Sequence, residues 1–223
     1  MKQLSLSQLD LDDLTGLVSL DDLGMQDHPW APWSELPLLP QEAQELGFIT
    51  RRLRHLSATL VNEATIWSRV VFPILVLAER DGLQAWAQVP MHARVGDTDL
   101  DGVVDGALGR PVGGRLEAPY LLVVEAKRGV DATAPQYQLY GELLAAARAH
   151  HLRHPRDLTV VHGCMTVADT FTFVRAELRD LDGPKPSMRV ASSRELSAKT
   201  EAAQILAILK SVVAEGIAHN AAP

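Results

Sequence analysis

The chain has 223 residues, 47% of them hydrophobic, 5% aromatic, with one cysteine and a formal net charge of −7. Such a length and apolar share fit a single compact domain with a good core. One cysteine excludes an internal disulfide and a cysteine-built zinc site, and no apolar run nears the roughly 20 residues of a bilayer span. The acidity is unevenly spread: residues 1–36 carry Asp10, Asp12, Asp13, Asp21, Asp22, Asp27 and Glu35 against Lys2 alone. The rest of the chain sums to about −1, so the global charge does not exclude a local basic surface that meets phosphates. The opening Met1-Lys2-Gln3-Leu4-Ser5 lacks a charged-then-apolar signal pattern. A cytoplasmic protein with no membrane partner is expected.

In chain order, residues 1–38 read as an acidic arm in which leucines alternate with aspartates and Pro29, Pro32, Pro37 and Pro40 punctuate the end. That proline density admits short amphipathic turns and no long helix. Residues 39–223 read as the folded domain. Leu46, Ile49, Leu53, Leu56 and Leu60, then Ile66, Val70 and Val71, predict helix over 41–80 with a kink at Pro73. Strands are predicted over 83–95, 103–108 and 120–125, with turns at Asp81-Gly82 and from Gly96, and a loop from Gly109 to Gly114. The third strand is rich in β-branched and other apolar residues, as a fully buried strand is. A helix follows over 135–150 with proline at its start, then strands over 158–161 and 170–174, and a closing helix over 196–217. The expected fold is α/β: a central mixed sheet flanked by helices.

Two of these strands carry chemistry. Val103-Val104-Asp105-Gly106-Ala107 and Leu121-Leu122-Val123-Val124-Glu125-Ala126-Lys127 each hold a carboxylate at the strand end, and the second adds a lysine. Side chains alternate along a strand, so Glu125 and Lys127 share a face. Asp105 and Glu125 could hold a divalent metal, with the Ala126 carbonyl as a further oxygen; magnesium usually takes only one or two protein carboxylates and keeps waters. Lys127 could then stabilise charge at phosphorus or orient the attacking water. Neighbouring carboxylates would keep it charged, which favours the first role. The bland alternative makes Asp105 a turn residue and Lys127-Arg128 a solvated strand exit.

Asp105 followed by Glu125-Ala126-Lys127 resembles the signature of the PD-(D/E)XK nuclease superfamily. Gln136-Tyr137-Gln138-Leu139-Tyr140 on the next helix resembles the Q-x-x-x-Y element of its RecB-like branch. Glu63, in Val61-Asn62-Glu63-Ala64-Thr65 on the preceding long helix, resembles the extra helical acid of many members. The likeness runs over about residues 45–178 and is nearer still to an uncharacterised bacterial group in that superfamily, which has a later strand pair like Thr159 to Phe173. Val104 stands where proline often precedes the first acid. The resemblance implies a restriction-endonuclease-like core in αβββαβ order and a nuclease dependent on Mg2+ (or Mn2+). Asp105 and Glu125 would be metal ligands, with Glu63 a third directly or through water, and Lys127 the catalytic lysine. Gln136 would orient Lys127, water or a phosphate, and Tyr140 would support the site or touch the substrate backbone. The expected partner is nucleic acid, DNA before RNA, in defence or repair; cutting both strands of a duplex with one site per chain would favour a homodimer. A catalytically silent nucleic-acid-binding or interaction module on the same fold is the rival reading.

Other features carry weaker signals. Arg51-Arg52-Leu53-Arg54-His55 could meet phosphates or face solvent, and Arg128 and Arg148 would extend a basic lip. His150 and His154 have the i, i+4 spacing of a metal pair, but histidine is also favoured at a helix C-terminus by the dipole. Asp97, Asp99 and Asp101 lack the distal glutamate of a calcium loop and read as a solvated turn. Cys164 reads as a small buried residue. The acidic arm could lie over a phosphate-binding cleft as a nucleic-acid mimic, or be a solvated segment or oligomer contact.

Overall fold

The computed structural model describes residues 2–26, 37–57, 60–127 and 135–221. Its core is one nine-stranded mixed sheet. The strands are β1 (Lys2–Ser5), β2 (Ser19–Met25), β3 (Gln84–Val95), β4 (Thr98–Val112), β5 (Arg115–Lys127), β6 (Leu158–Val167), β7 (Thr170–Arg179), β8 (Ser187–Ser192) and β9 (Leu196–Ser197). The helices are α1 (Leu11–Leu17), α2 (Pro40–Arg54), α3 (Glu63–Ile66), α4 (Phe72–Val76), α5 (Pro135–Arg153) and α6 (Ala202–Ala221). The order across the sheet is β1-β4-β5-β6-β7-β8-β2, with β3 on β4 and β9 on β7. No helix among the described residues is long and apolar enough to cross a membrane.

The expected α/β sandwich is present. One face of the sheet packs on α5 and the N-terminal leucines, through Leu139, Leu143, Leu144, Val123 and Val161. The other packs on α2, α4 and α6, through Leu46, Leu53, Leu75, Leu122, Ile205 and Leu209. β5 and β6 run parallel with α5 between them, the crossover that parallel neighbours require.

Three segments differ from the sequence expectation. The described part of the arm is built into the sheet: β1 pairs in parallel with Thr98–Asp101 of β4, and β2 pairs in parallel with β8. The alternation of leucine and aspartate is α1, capped by Asp10, whose Oδ1 accepts from the Asp13 N–H at 2.8 Å, with Leu14 and Leu17 buried. The same pairing puts Asp99 and Asp101 inside a strand rather than a solvated turn. The predicted 41–80 helix is interrupted. α2 stops at Arg54, and Leu60 is exposed although it continues the apolar spacing. Helix resumes at α3, where Asn62 accepts from the Thr65 N–H at 2.9 Å, so Glu63 begins a short helix instead of riding within a long one. A π-turn at Trp67–Val71 joins α3 to α4, just before Pro73, whose missing N–H removes one helical bond. The strands on both sides of α5 are longer than the spacing predicts, so that β4 runs to Val112 through most of the expected Gly109–Gly114 loop, and β8 has no counterpart among the expected elements. Residues 196–197 form a short strand instead of opening the last helix.

Candidate active site

Asp105 sits where both ladders of β4 fail. Between Thr98 and Gly109 it is the one residue missing from the β3 pairing, opposite Gln88, which has φ of 52°. On the other side, the β4–β5 ladder ends at Gly106 and Val124. The Asp105 carboxylate fills both gaps. Its Oδ2 accepts from the Ala126 N–H at 2.9 Å, and its Oδ1 accepts from Gln88 Nε2 at 3.2 Å. The next residue must be glycine, because a Cβ at 106 would lie 2.5 Å from Trp67 Cη2 in the π-turn. That contact draws the α3 end of the helical segment, and Glu63 one turn earlier, toward β4 and β5.

Glu125 and Lys127 share a face, as strand alternation predicts. The Lys127 ammonium closes on Glu125 Oε1, an oxygen with no other hydrogen-bond partner among the described residues. Glu125 is 1% exposed and Lys127 24% at the side chain. Burial, then the charge of Asp105, pushes Glu125 up to about 7 against the pull of Lys127. Burial works against charge on Lys127, but Glu125, with Glu63 and Asp105, outweighs it and holds the ammonium above its ordinary value. Glu63, Asp105, Glu125 and Lys127 therefore share one electrostatic neighbourhood.

The helix after β5 contributes a different face from the expected one. Gln136 is exposed at the start of α5. The Tyr140 hydroxyl donates to Asp22 Oδ2 of β2 at 3.0 Å, and burial together with that carboxylate pushes the phenol well up. Residues two apart on a helix point about 200° apart, so Gln138 and Glu142 occupy the opposite side from Gln136 and Tyr140. Glu142 is fully buried, accepts from Gln138 Nε2 at 3.0 Å, and lies against Glu125. Burial first and the Glu125 charge second push Glu142 well above its ordinary value. The sequence offered one signal for it: an acid within Leu139 to Ala147, otherwise almost wholly apolar.

Among the described residues no group of three or more histidine, cysteine, aspartate or glutamate side chains is placed to hold a metal ion. The donor set nonetheless suits magnesium, which needs only one or two carboxylates. Glu125 is raised first by burial and then by the Asp105 charge, and a bound divalent cation would offset both.

The remaining sequence features lie elsewhere. Arg148 is committed away from any lip, donating to the carbonyls of Arg94 and Leu181 and to Asp182; Arg128 lies outside the described residues. The His150 and His154 rings meet edge to face with centroids 6.0 Å apart. Arg51 lies over the Phe48 ring. Cys164 is fully buried, which pushes its thiol up. No protein-family model matches the chain, and no curated protein matches it.

Proposed function

We propose that this protein is a metal-dependent nuclease of the PD-(D/E)XK kind, with a restriction-endonuclease-like core, that hydrolyses phosphodiester bonds. The observation that carries the reading is the meeting of Asp105, Glu125 and Lys127 at the point where β4 and β5 part. In this reading Asp105 and Glu125 hold Mg2+ or Mn2+, with Glu63 close by. A bound divalent ion would polarise the phosphoryl oxygen and lower the pKa of a water. Lys127, kept charged by three acids, would neutralise negative charge growing on the phosphoryl group. Its occupied ammonium argues against a free-base role. DNA is proposed before RNA on the resemblance of the motif alone, with the cytoplasm as the place of action and defence or repair as the setting. A homodimer would follow if both strands of a duplex are cut.

One observation favours the rival, a silent nucleic-acid-binding or interaction module. Both Asp105 oxygens are taken by protein donors, and Lys127 already neutralises Glu125, so the acids also serve as a brace between strands. Cleavage of supercoiled, linear duplex and single-stranded DNA and of RNA, with Mg2+ or with EDTA, separates the two. The nuclease reading expects cutting that EDTA abolishes and that Asp105→Ala and Lys127→Ala each reduce by about 10²–10³-fold. Variants that cut as well as the wild type, or a wild type that cuts nothing, would leave the silent module.

A further inference from the structure

We propose that Glu142 is a positioning residue of the acid cluster: anchored by Gln138, its carboxyl fixes the orientation in which Glu125 meets a divalent cation. The inference rests on the nuclease reading insofar as Glu125 is taken to meet a cation.

α5 is the central helix on its face of the sheet, and Leu139, Leu143, Leu144, Ala145, Ala146 and Ala147 are all buried in it. A glutamate with no exposure in that run is costly unless it is paired. The structure supplies two neighbours from two elements. Gln138, one turn earlier, donates to Oε1 at 3.0 Å, and the Glu125 carboxyl of β5 is the other neighbour. Oε2 is buried with no hydrogen-bond donor among the described residues. An apolar residue here would pack at least as well and hold nothing.

The consequence is directional. Glu125 has three side-chain torsions, and without a second neighbour the Lys127 ammonium would set its orientation alone. The line Gln138–Glu142–Glu125–Lys127 ties β5 to α5 and holds the carboxylate from both sides. Groups that orient a metal ligand in this way typically carry about 10–100-fold in metal affinity. The same geometry separates Glu142 from Gln136 and Tyr140, which belong to the other side of the helix.

The test uses the full chain with Glu142→Leu, Glu142→Gln and Asp105→Ala. Mn2+ affinity is measured by calorimetry, and the thermal midpoint is measured in EDTA. Glutamine keeps the hydrogen bonds, accepting from Gln138 and donating to Glu125; leucine keeps only bulk. Glu142→Leu is expected to fold with an unchanged or higher midpoint yet bind Mn2+ about 10–100-fold more weakly, while Glu142→Gln stays within about threefold. A merely structural Glu142 would move the midpoint and leave Mn2+ affinity alone, which overturns the proposal. Equal loss in both Glu142 variants would make Glu142 a direct ligand and overturn the positioning role. A wild type with no Mn2+ binding that depends on Asp105 overturns it too. A wild type that binds Mn2+ with the expected ranking but cuts no nucleic acid sinks the nuclease reading and leaves this inference standing.

Discussion

Glu125 stands between Lys127, which favours its charge, and burial with Asp105, which opposes it. The balance puts its pKa at about 7, so proton and cation compete for one carboxylate near neutrality. Mn2+ affinity is therefore expected to rise with pH and level off above about 7, and a titration flat from pH 5 to 8 would contradict it. The stability sign is the reverse. A carboxyl whose folded pKa is raised stabilises the fold fully below its unfolded pKa, and that contribution is lost as pH rises through about 7. Without metal, Glu125→Gln should remove that decline, so the gap in thermal midpoint over the wild type widens from pH 5 to 8. That Glu125 and Lys127 share a face was legible in sequence because strand alternation fixes it; Asp105 was legible only as an acid on the preceding strand. Gln88 and Glu142 were not, because a kink opposite Asp105 and a helix laid over β5 are facts of packing.

Helix α5 shows how an element can be read correctly and its facing wrongly expected. Proline at the start and apolar spacing predict the helix and nearly its ends. With both faces buried among apolar residues, the pattern does not say which stripe meets the site. The resemblance pointed to Gln136 and Tyr140; packing turns Gln138 and Glu142 inward and leaves Tyr140 with Asp22. Close packing fixes that rotation: a Cβ at Gly141 would lie 2.1 Å from Leu9 Cδ1. Gly141→Ala should cost about 1–3 kcal/mol, read as a lower urea midpoint, and an unchanged midpoint would show that the segment yields freely. Helices α2 and α6 are joined by an ion pair between buried Lys210 and half-buried Glu42, Nζ to Oε2 at 2.7 Å, while Glu42 also accepts from the Leu39 N–H. Burial alone would raise Glu42, but Lys210 and the Leu39 amide outweigh it and hold the carboxyl below its ordinary value. Its stabilising share is present above the ordinary carboxylate range and is lost as pH falls below it. Lys210→Ala should cost about 1 kcal/mol at neutral pH by removing the partner of Glu42, with a smaller penalty at pH 4. An equal penalty at both values would mean that the ion pair is not what the lysine supplies.

At the scale of the whole molecule, the acidic N-terminal segment ties two distant parts of the sheet together. β1 lies beside the first part of β4, on the side away from β3, and β2 lies beside β8 at the far end, while Leu6, Leu9, Leu14, Leu17 and Val18 are buried between them. Five such side chains contribute about 10 kcal/mol of burial, comparable with the whole stability of a typical domain. Removing residues 1–26 is expected to unfold or aggregate the protein rather than release activity; a soluble truncated chain with a wild-type thermal midpoint would restore the view of the segment as a detachable cover. By itself the sequence determined the local elements of the central part, the apolar faces that make a sheet-and-helix sandwich, and the alternation that sets Glu125 beside Lys127, because these follow from periods of two and 3.6 residues. Only the tertiary structure decided that Asp105 closes the gap between strands, that Glu142 faces Glu125, and that the acidic segment is part of the sheet. Those outcomes depend on which strand finds which edge and how a helix is rotated upon it, and packing between residues distant in the chain sets both.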